Sequence, residues 1–358
     1  MTRKLVYSDT GVDRDRRAES KKALKTLART YSNSRYGRVV ELPFGRVFPF
    51  DDHYLDLVVE GVGTKVLLAQ LAGRYSTIGI DGVAMAVNDV IRSGAIPLAV
   101  ADNIHAQVSD PFLVQEWMKG IVRGAEESEC IVPSGEIGDV ADLIKGLYVG
   151  KGFDMVFASI GEVFKDELIT GKGIRPGDSI IGLRSSGVHS NGISLARRVL
   201  FKQWGGRYEP DDVPDGLTKE IVTEVLEPTR IYVKPFLRLA AELELKGAAH
   251  ITGDAYLKFG RFTKFSNDIG FDFDNFKPQP VFNVIQETAS ILKTPITDEE
   301  MFKTFNMGWG FAVIVNKTDT DKAVDILEKT EQESEQIGHV SNREGIRILY
   351  QNKRIILR

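Results

Sequence analysis

A single cysteine, Cys130, in 358 residues leaves no partner for an intrachain disulfide and no thiolate cluster for a metal. Long apolar runs are missing as well. No stretch approaches the ~18 residues a membrane span needs, and the opening MTRKLVYSDT has no apolar signal core. Nor does charge of one sign dominate: 46 basic against 50 acidic side chains give a formal net charge of −4. That balance gives no electrostatic reason to expect a nucleic acid or an anionic membrane as partner. His53, His105, His250 and His339 stand at no metal-ligand spacing such as HExxH, which argues against zinc. These absences lead to the expectation of a soluble, cytoplasmic protein.

What is present is globular in composition, with 42% hydrophobic and 27% charged residues. At ~150 residues per domain the length suits two domains. Glycine is abundant, 34 residues against the roughly 25 that a typical share would give, and it clusters at the ends of apolar runs. KKALKTLART reads as a helix in an otherwise polar N-terminal 37 residues, and HYLDLVVEGVGTKVLLAQLAG as strand, Gly turn and helix. TIGID reads as a strand ending at Asp81, followed by a helical VAMAVNDVIRS; IPLAVADNIHAQ and DMVFASIGEVF read as strands. PFLVQEWMKGIVRGAEESE is an amphipathic helix with Asp110 as N-cap and Pro111 at its start. KDELITGKGIRPGDS, about residues 165–178, has the composition of a connector. DSIIGLRSSGVHSNGISLARRVL then repeats the strand, polar Gly loop and helix, and IRILYQNKRIILR closes the chain as a hairpin around Gln351-Asn352-Lys353. Strands mixed with helices in both halves indicate two α+β or α/β domains.

Three segments carry chemistry. In EGVGTK, Gly61, Gly63 and Thr64 lead from a strand into a helix, and backbone N–H groups at a helix N-terminus cradle phosphate, with Lys65 as a point charge beside them; the alternative is a structural turn. The P-loop pattern GxxxxGK[ST] is absent. Glu60, Asp81, Asn88 and Asp89 offer oxygen ligands of the kind Mg²⁺ takes together with nucleotide phosphates, unless Asp81 is a helix cap and the other two face solvent. Ser185, Ser186, Gly187, His189, Ser190 and Asn191 crowd small donors around one histidine, which suits phosphate or oxyanion contact and proton transfer; a surface loop is the plain alternative. Weaker signals are Glu136 on a Gly turn, the Gly253-Asp254 turn with Lys258 and Arg261 downstream, and Trp309 between two glycines, read as packing.

YSDTGVD, EGVGTKVLLA, TIGIDGVAMAVNDVIRSGAIPL, RSSGVHSNGISLARRV, EPTRIYVKP, HITGD and FNMGWGFAVIV occur in that order. Together they resemble the phosphoribosylformylglycinamidine cyclo-ligase (aminoimidazole ribonucleotide synthetase) family of purine biosynthesis. The resemblance covers most of the chain and is weakest over 15–55 and 262–300. It implies an α+β, two-domain subunit: residues 1–168 an ATP- and Mg²⁺-binding N-terminal domain that pairs into a dimeric β-barrel, and residues 169–358 a C-terminal α/β sandwich that binds substrate. A homodimer, ATP and Mg²⁺ are implied with it.

The implied reaction is ATP-dependent ring closure of formylglycinamidine ribonucleotide, the γ-phosphoryl group turning a formamide oxygen into a leaving phosphate. On that likeness Glu60, Asp81 and Glu136 hold Mg²⁺. Gly61, Gly63, Thr64, Lys65, Asp81, Asn88 and Asp89 bind ATP, and Ser185, Ser186, Gly187, His189, Ser190 and Asn191 bind substrate. His189, Asp81 and Lys65 are the expected catalytic residues. If His189 is a general acid or base, its loss lowers turnover by ~10²–10⁴. The sequence departs from the family pattern at Glu60, where aspartate is usual, and at Ser134-Gly135-Glu136-Ile137-Gly138, Gly253-Asp254-Ala255 and Pro43–Arg46, all in ligand-facing loops. The competing readings are another ATP-using member of the superfamily, such as a small-molecule kinase or a formylglycinamidine synthetase, and a non-catalytic nucleotide-binding homologue.

Overall fold

The computed structural model describes residues 4–358. Six strands form a first sheet: β1 (Val40–Leu42), β2 (Gly45–Phe50), β3 (His53–Gly61), β4 (Ile96–Ala106), β5 (Ile131–Asp139) and β6 (Phe153–Phe164). Their spatial order is β1-β2-β3-β6-β4-β5, and only β4 and β5 run parallel. Seven more form a second sheet: β7 (Ser179–Arg184), β8 (Gly247–His250), β9 (Gly270–Phe273), β10 (Trp309–Val315), β11 (Ser334–Ser341), β12 (Gly345–Tyr350) and β13 (Lys353–Leu357). Their order is β13-β12-β9-β11-β7-β10-β8, with β9 and β12 the parallel pair. The architecture is thus mixed, with strands and helices in both halves, and neither sheet closes into a barrel within the chain. Among the described residues no helix is long and apolar enough to cross a membrane.

The helix Ser76–Ile91 corrects one expectation. TIGID is its first turns, so Asp81 lies inside a buried helix and not at a strand end. Packing overrides the strand-like look of the apolar run. A Cβ at Gly82 would fall within 2.5 Å of the Phe157 ring, and one at Gly79 within 2.6 Å of backbone in the helix Pro111–Ser128. The two glycines let this helix press against the first sheet on one side and a second helix on the other, a gain that outweighs their weak helix propensity.

Other elements follow the local signals. Asp110 caps Pro111–Ser128 through the N–H groups of Phe112 and Leu113. Gln351 and Asn352 both take positive φ in the two-residue β12–β13 turn, which matches the strand twist. Trp309 is buried, its indole N–H donating to Asn275 O at 2.9 Å, as the packing reading requires. The N-terminal helical segment is an α-helix, Arg14–Lys21, continued by a 3₁₀ stretch, Lys22–Asn33.

Candidate functional site

Asp81 is the hub of the junction between the halves. Its Oδ1 accepts from Lys65 Nζ (2.9 Å), Ser190 Oγ (3.0 Å), Thr229 N (2.8 Å) and Thr229 Oγ1 (2.7 Å). Lys65, the first residue of the helix Lys65–Ala72, also donates to Glu227 O at 2.7 Å. Both charged side chains are fully buried, and burial lowers the Lys65 ammonium while Asp81 and Glu227 oppose the shift. The pair therefore staples the first half to the 190 and 227–229 loops. Asp81 Oδ2 is buried and has no hydrogen-bond partner. Next to this staple the loop before Lys65 is open to solvent: Gly61, Gly63 and Thr64 are exposed, Gly63 has φ +67°, and Thr64 Oγ1 meets Ser194 Oγ at 2.9 Å.

Asn88 and Asp89, expected on ATP, are engaged inside the protein. The Asn88 amide donates to Arg230 O (2.8 Å) and accepts from Tyr232 N (2.8 Å), behaving as a strand neighbour for that loop. Asp89 Oδ1 pairs with His250 Nδ1 at 2.8 Å and Oδ2 with Arg92 at 2.8 Å. Burial works to raise the Asp89 carboxyl, yet Arg92, His250 and Lys258 hold it well below the usual range. Glu60, nearby, is pushed up to about 7 by burial and by the Asp89 charge.

The loop 185–192 folds inward. Ser185 Oγ donates to Asn306 Oδ1 (3.1 Å) and Ser186 Oγ to Pro228 O. Gly187 O accepts from Asn306 Nδ2 (2.8 Å), and Asn191 Nδ2 reaches Met85 Sδ at 3.8 Å. His189, 1% exposed with φ +64°, accepts at Nε2 from the backbone N–H groups of Ser186 (3.2 Å) and Arg230 (3.5 Å). A nitrogen that accepts carries no hydrogen, so the proton sits on Nδ1, which is buried and unpartnered. Burial holds the imidazole well below 6.5, helped by the charges of His250, Lys65 and Arg230. The ring is a neutral anchor for two loops.

His189→Ala is therefore expected to cost about 2–4 kcal/mol, from two lost acceptor bonds and a cavity, measurable by urea unfolding. His189→Gln, which keeps an acceptor, is expected to recover part of it together with part of the turnover. Full stability of His189→Ala with abolished turnover would contradict the anchoring role and favour proton transfer.

The three carboxylates expected on Mg²⁺ do not converge. Among the described residues no group of three acids, histidines or cysteines can hold a metal. Glu136 lies in β5 and not on a turn, paired with Asn103 of β4. Glu60 and Phe157 are partners, as are Phe157 and Asp102, and Asp102 and Gly135; buried Phe157 shows that this row faces the core. Glu136, one residue on from Gly135, belongs to the opposite face and stands three strand spacings, roughly 14 Å, from Glu60.

Sequence reasoning missed Thr229, Arg92, Tyr232 and Asn306 and gave His250 no role. No local pattern marks them, because each acts through a partner distant in sequence.

Comparison with known proteins adds to this geometry. Residues 46–163 match the family described as AIR synthase related protein, N-terminal domain, and 175–351 its C-terminal domain. The chain is 38% identical over 346 residues to the phosphoribosylformylglycinamidine cyclo-ligase of Pyrococcus furiosus, covering 96% of this chain and 97% of that one. It is also 38% identical over 341 residues to the enzyme of that name from Methanocaldococcus jannaschii, covering 94% and 92%. Among solved structures, hydrogenase maturation protein HypE matches with TM-score 0.60 at 14% identity over 92% of both chains. T. maritima PurL complexed with ATP matches with TM-score 0.57 at 15% identity, over 88% of this chain and 44% of that chain. At such identities the last two speak for a shared fold.

Proposed function

The chain belongs to the phosphoribosylformylglycinamidine cyclo-ligase family, an ATP-dependent ligase of purine biosynthesis, and from that premise we propose how its residues serve the ring closure. The carrying observation is the open Gly61–Thr64 loop beside the buried Lys65–Asp81 staple. The loop offers backbone N–H groups at the start of the helix Lys65–Ala72, where the triphosphate of ATP docks. The staple fixes that loop against Ser190 and Thr229, so the nucleotide and the substrate loop 185–192 keep one relative position. Transfer of the γ-phosphoryl group to the formamide oxygen makes that oxygen a good leaving group, and the neighbouring nitrogen closes the ring. With little covalent chemistry for the protein to do, alignment of two anionic ligands is its main contribution.

Mg²⁺ accompanies ATP in this reading and neutralises phosphate charge when bound. Among the described residues there is no carboxylate cage; Asp81 Oδ2 is a buried oxygen without a hydrogen-bond partner, and the remaining ligands are phosphates and water. Residues 1–168 and 169–358 serve as nucleotide and substrate domains, and the compartment is the cytoplasm, in keeping with a free, buried Cys130.

The first sheet also supports a homodimer with a barrel completed by the second copy. Leu57, Ile160, Ala99 and Ile131 are consecutive cross-strand partners over β3, β6, β4 and β5, and Leu57 and Ile131 are 55% and 64% exposed. Val59, on the same face, is 62% exposed. An apolar face of this kind marks an interaction site. Wild-type protein is expected to sediment as a dimer and a Leu57→Glu/Val59→Lys variant as a folded monomer; a monomeric wild type contradicts the pairing.

Incubation with formylglycinamidine ribonucleotide, ATP and Mg²⁺ tests the reading. Aminoimidazole product is expected in step with ADP. ADP formed only with another acceptor would point to a kinase, and ATP binding without turnover to a non-catalytic homologue.

A further inference from the structure

Lys258 is a buried cation without an ion-pair partner. It is 7% exposed, and its Nζ donates to His250 O at 3.1 Å and to Thr252 Oγ1, both neutral acceptors. Among the described residues no carboxylate comes within ion-pairing distance of it. It lines a cavity of about 520 Å³ between the N-terminal segment and the stretch 254–261, in company with Arg14, Arg261 and Asp254.

The acids that line this cavity, Asp13, Asp15, Asp254 and Glu300, leave it a small positive excess. Glu300 is occupied by Arg14 Nη1 (3.0 Å), Tyr7 N (3.1 Å) and Thr304 Oγ1 (3.0 Å), while Asp13 caps the helix Arg14–Lys21. Asp254 stands 3.7 Å from Arg14 Nε and 3.8 Å from Arg261 Nη2, too far for a hydrogen bond to either. Arg14 Nε is buried with no hydrogen-bond partner.

The backbone adds a second observation. Asp254 and Ala255 are consecutive non-glycine residues at φ +67° and +38°, between Thr252 and Lys258. L-residues rarely hold such angles, and strain of this kind collects at ligand clamps. The strained turn sets Asp254 between the two guanidinium groups, holding them apart and facing the cavity.

We propose that the cavity formed by Arg14, Lys258 and Arg261 binds the phosphoryl end of a ligand, a dianionic phosphate group whose oxygens take up the unpaired ammonium and guanidinium donors. This rests on the cyclo-ligase reading, in which both ligands carry phosphate, and it names where one of them docks. Charge-assisted bonds to phosphate suit these residue types.

Arg261→Gln and Lys258→Met, with wild type alongside, test it by separate KM determinations for formylglycinamidine ribonucleotide and for ATP. One KM is expected to rise about 10- to 100-fold in both variants with kcat largely kept. A rise for the ribonucleotide assigns the site to its 5′-phosphate, and a rise for ATP assigns it to the polyphosphate. Both KM values unchanged in a folded Arg261→Gln protein overturn the proposal, even if Lys258→Met fails to fold. Absence of turnover in the wild type would instead contradict the reading of function. Calorimetric titration with inorganic phosphate and with pyrophosphate adds a readout free of turnover: heat from either in wild type that Arg261→Gln loses supports the site, and equal heat in both proteins overturns it.

Discussion

Asp81→Ala is expected to lower stability by about 3–5 kcal/mol and to abolish ring closure, read by urea unfolding and by ADP release. The substitution leaves a fully buried ammonium at Lys65 with only Glu227 O as partner. It also strips Ser190 and Thr229 of the acceptor that ties their loops to the helix Ser76–Ile91. The loss would exceed that of a surface ion pair several-fold, because no water reaches the orphaned charge. A cost under about 1 kcal/mol would mean that the staple does not hold the halves together.

Lys65→Met with Asp81→Leu separates stability from function. A buried pair is often replaceable by apolar side chains at little cost, so the double variant is expected to regain much of the stability that Asp81→Ala loses. It is not expected to regain turnover, because Ser190 and Thr229 still lack Asp81 Oδ1 and the Gly61–Thr64 loop loses its register against them. Turnover restored along with stability would show that the pair serves folding alone.

How much of this was legible in the sequence depended on the range of the interaction. EGVGTK announced a strand, turn and helix because alternating apolar residues and glycines are local signals, and the Asp110 cap was readable for the same reason. TIGID misled because five mostly apolar residues look alike in a buried strand and a buried helix; the arbiters were Gly79 and Gly82, whose missing Cβ atoms fit neighbours far away in sequence. The polar loop 185–192 was found as a cluster, but composition could not tell that His189 accepts from the backbone amides of Ser186 and Arg230. Asp89 and His250, 161 residues apart, make one bond that no spacing rule reaches. Glu136 was placed on the metal by family likeness; the register of four strands puts it on the face opposite Glu60.

The same register explains a pH dependence that ordinary carboxylates would not give. Asp56, Glu60 and Asp89 share the neighbourhood of Arg92, and Arg92 binds Asp89 through Nη2 and through the Asp89 carbonyl. One acid thus keeps its charge, and the other two are left to take protons. Burial, with Asp89 adding to it, pushes Asp56 up to about 6 and Glu60 up to about 7. A carboxyl raised in the folded state binds more protons there than when unfolded, so its contribution is complete below the unfolded value near 4 and disappears as pH rises through the folded one. The contribution of these two acids is therefore expected to fall between about pH 4 and pH 7, by at most about 3 kcal/mol for Asp56, while His189 and His250, held by burial below the ordinary imidazole value, give the opposite slope. Asp56→Asn should flatten the lower part of that decline and stabilise the protein at pH 7.5, and Glu60→Gln should flatten the upper part. Urea midpoints measured from pH 4.5 to 8 on wild type and both variants decide it through the difference between curves; an Asp56→Asn or Glu60→Gln curve parallel to that of wild type would show that the acid it replaces is charged throughout.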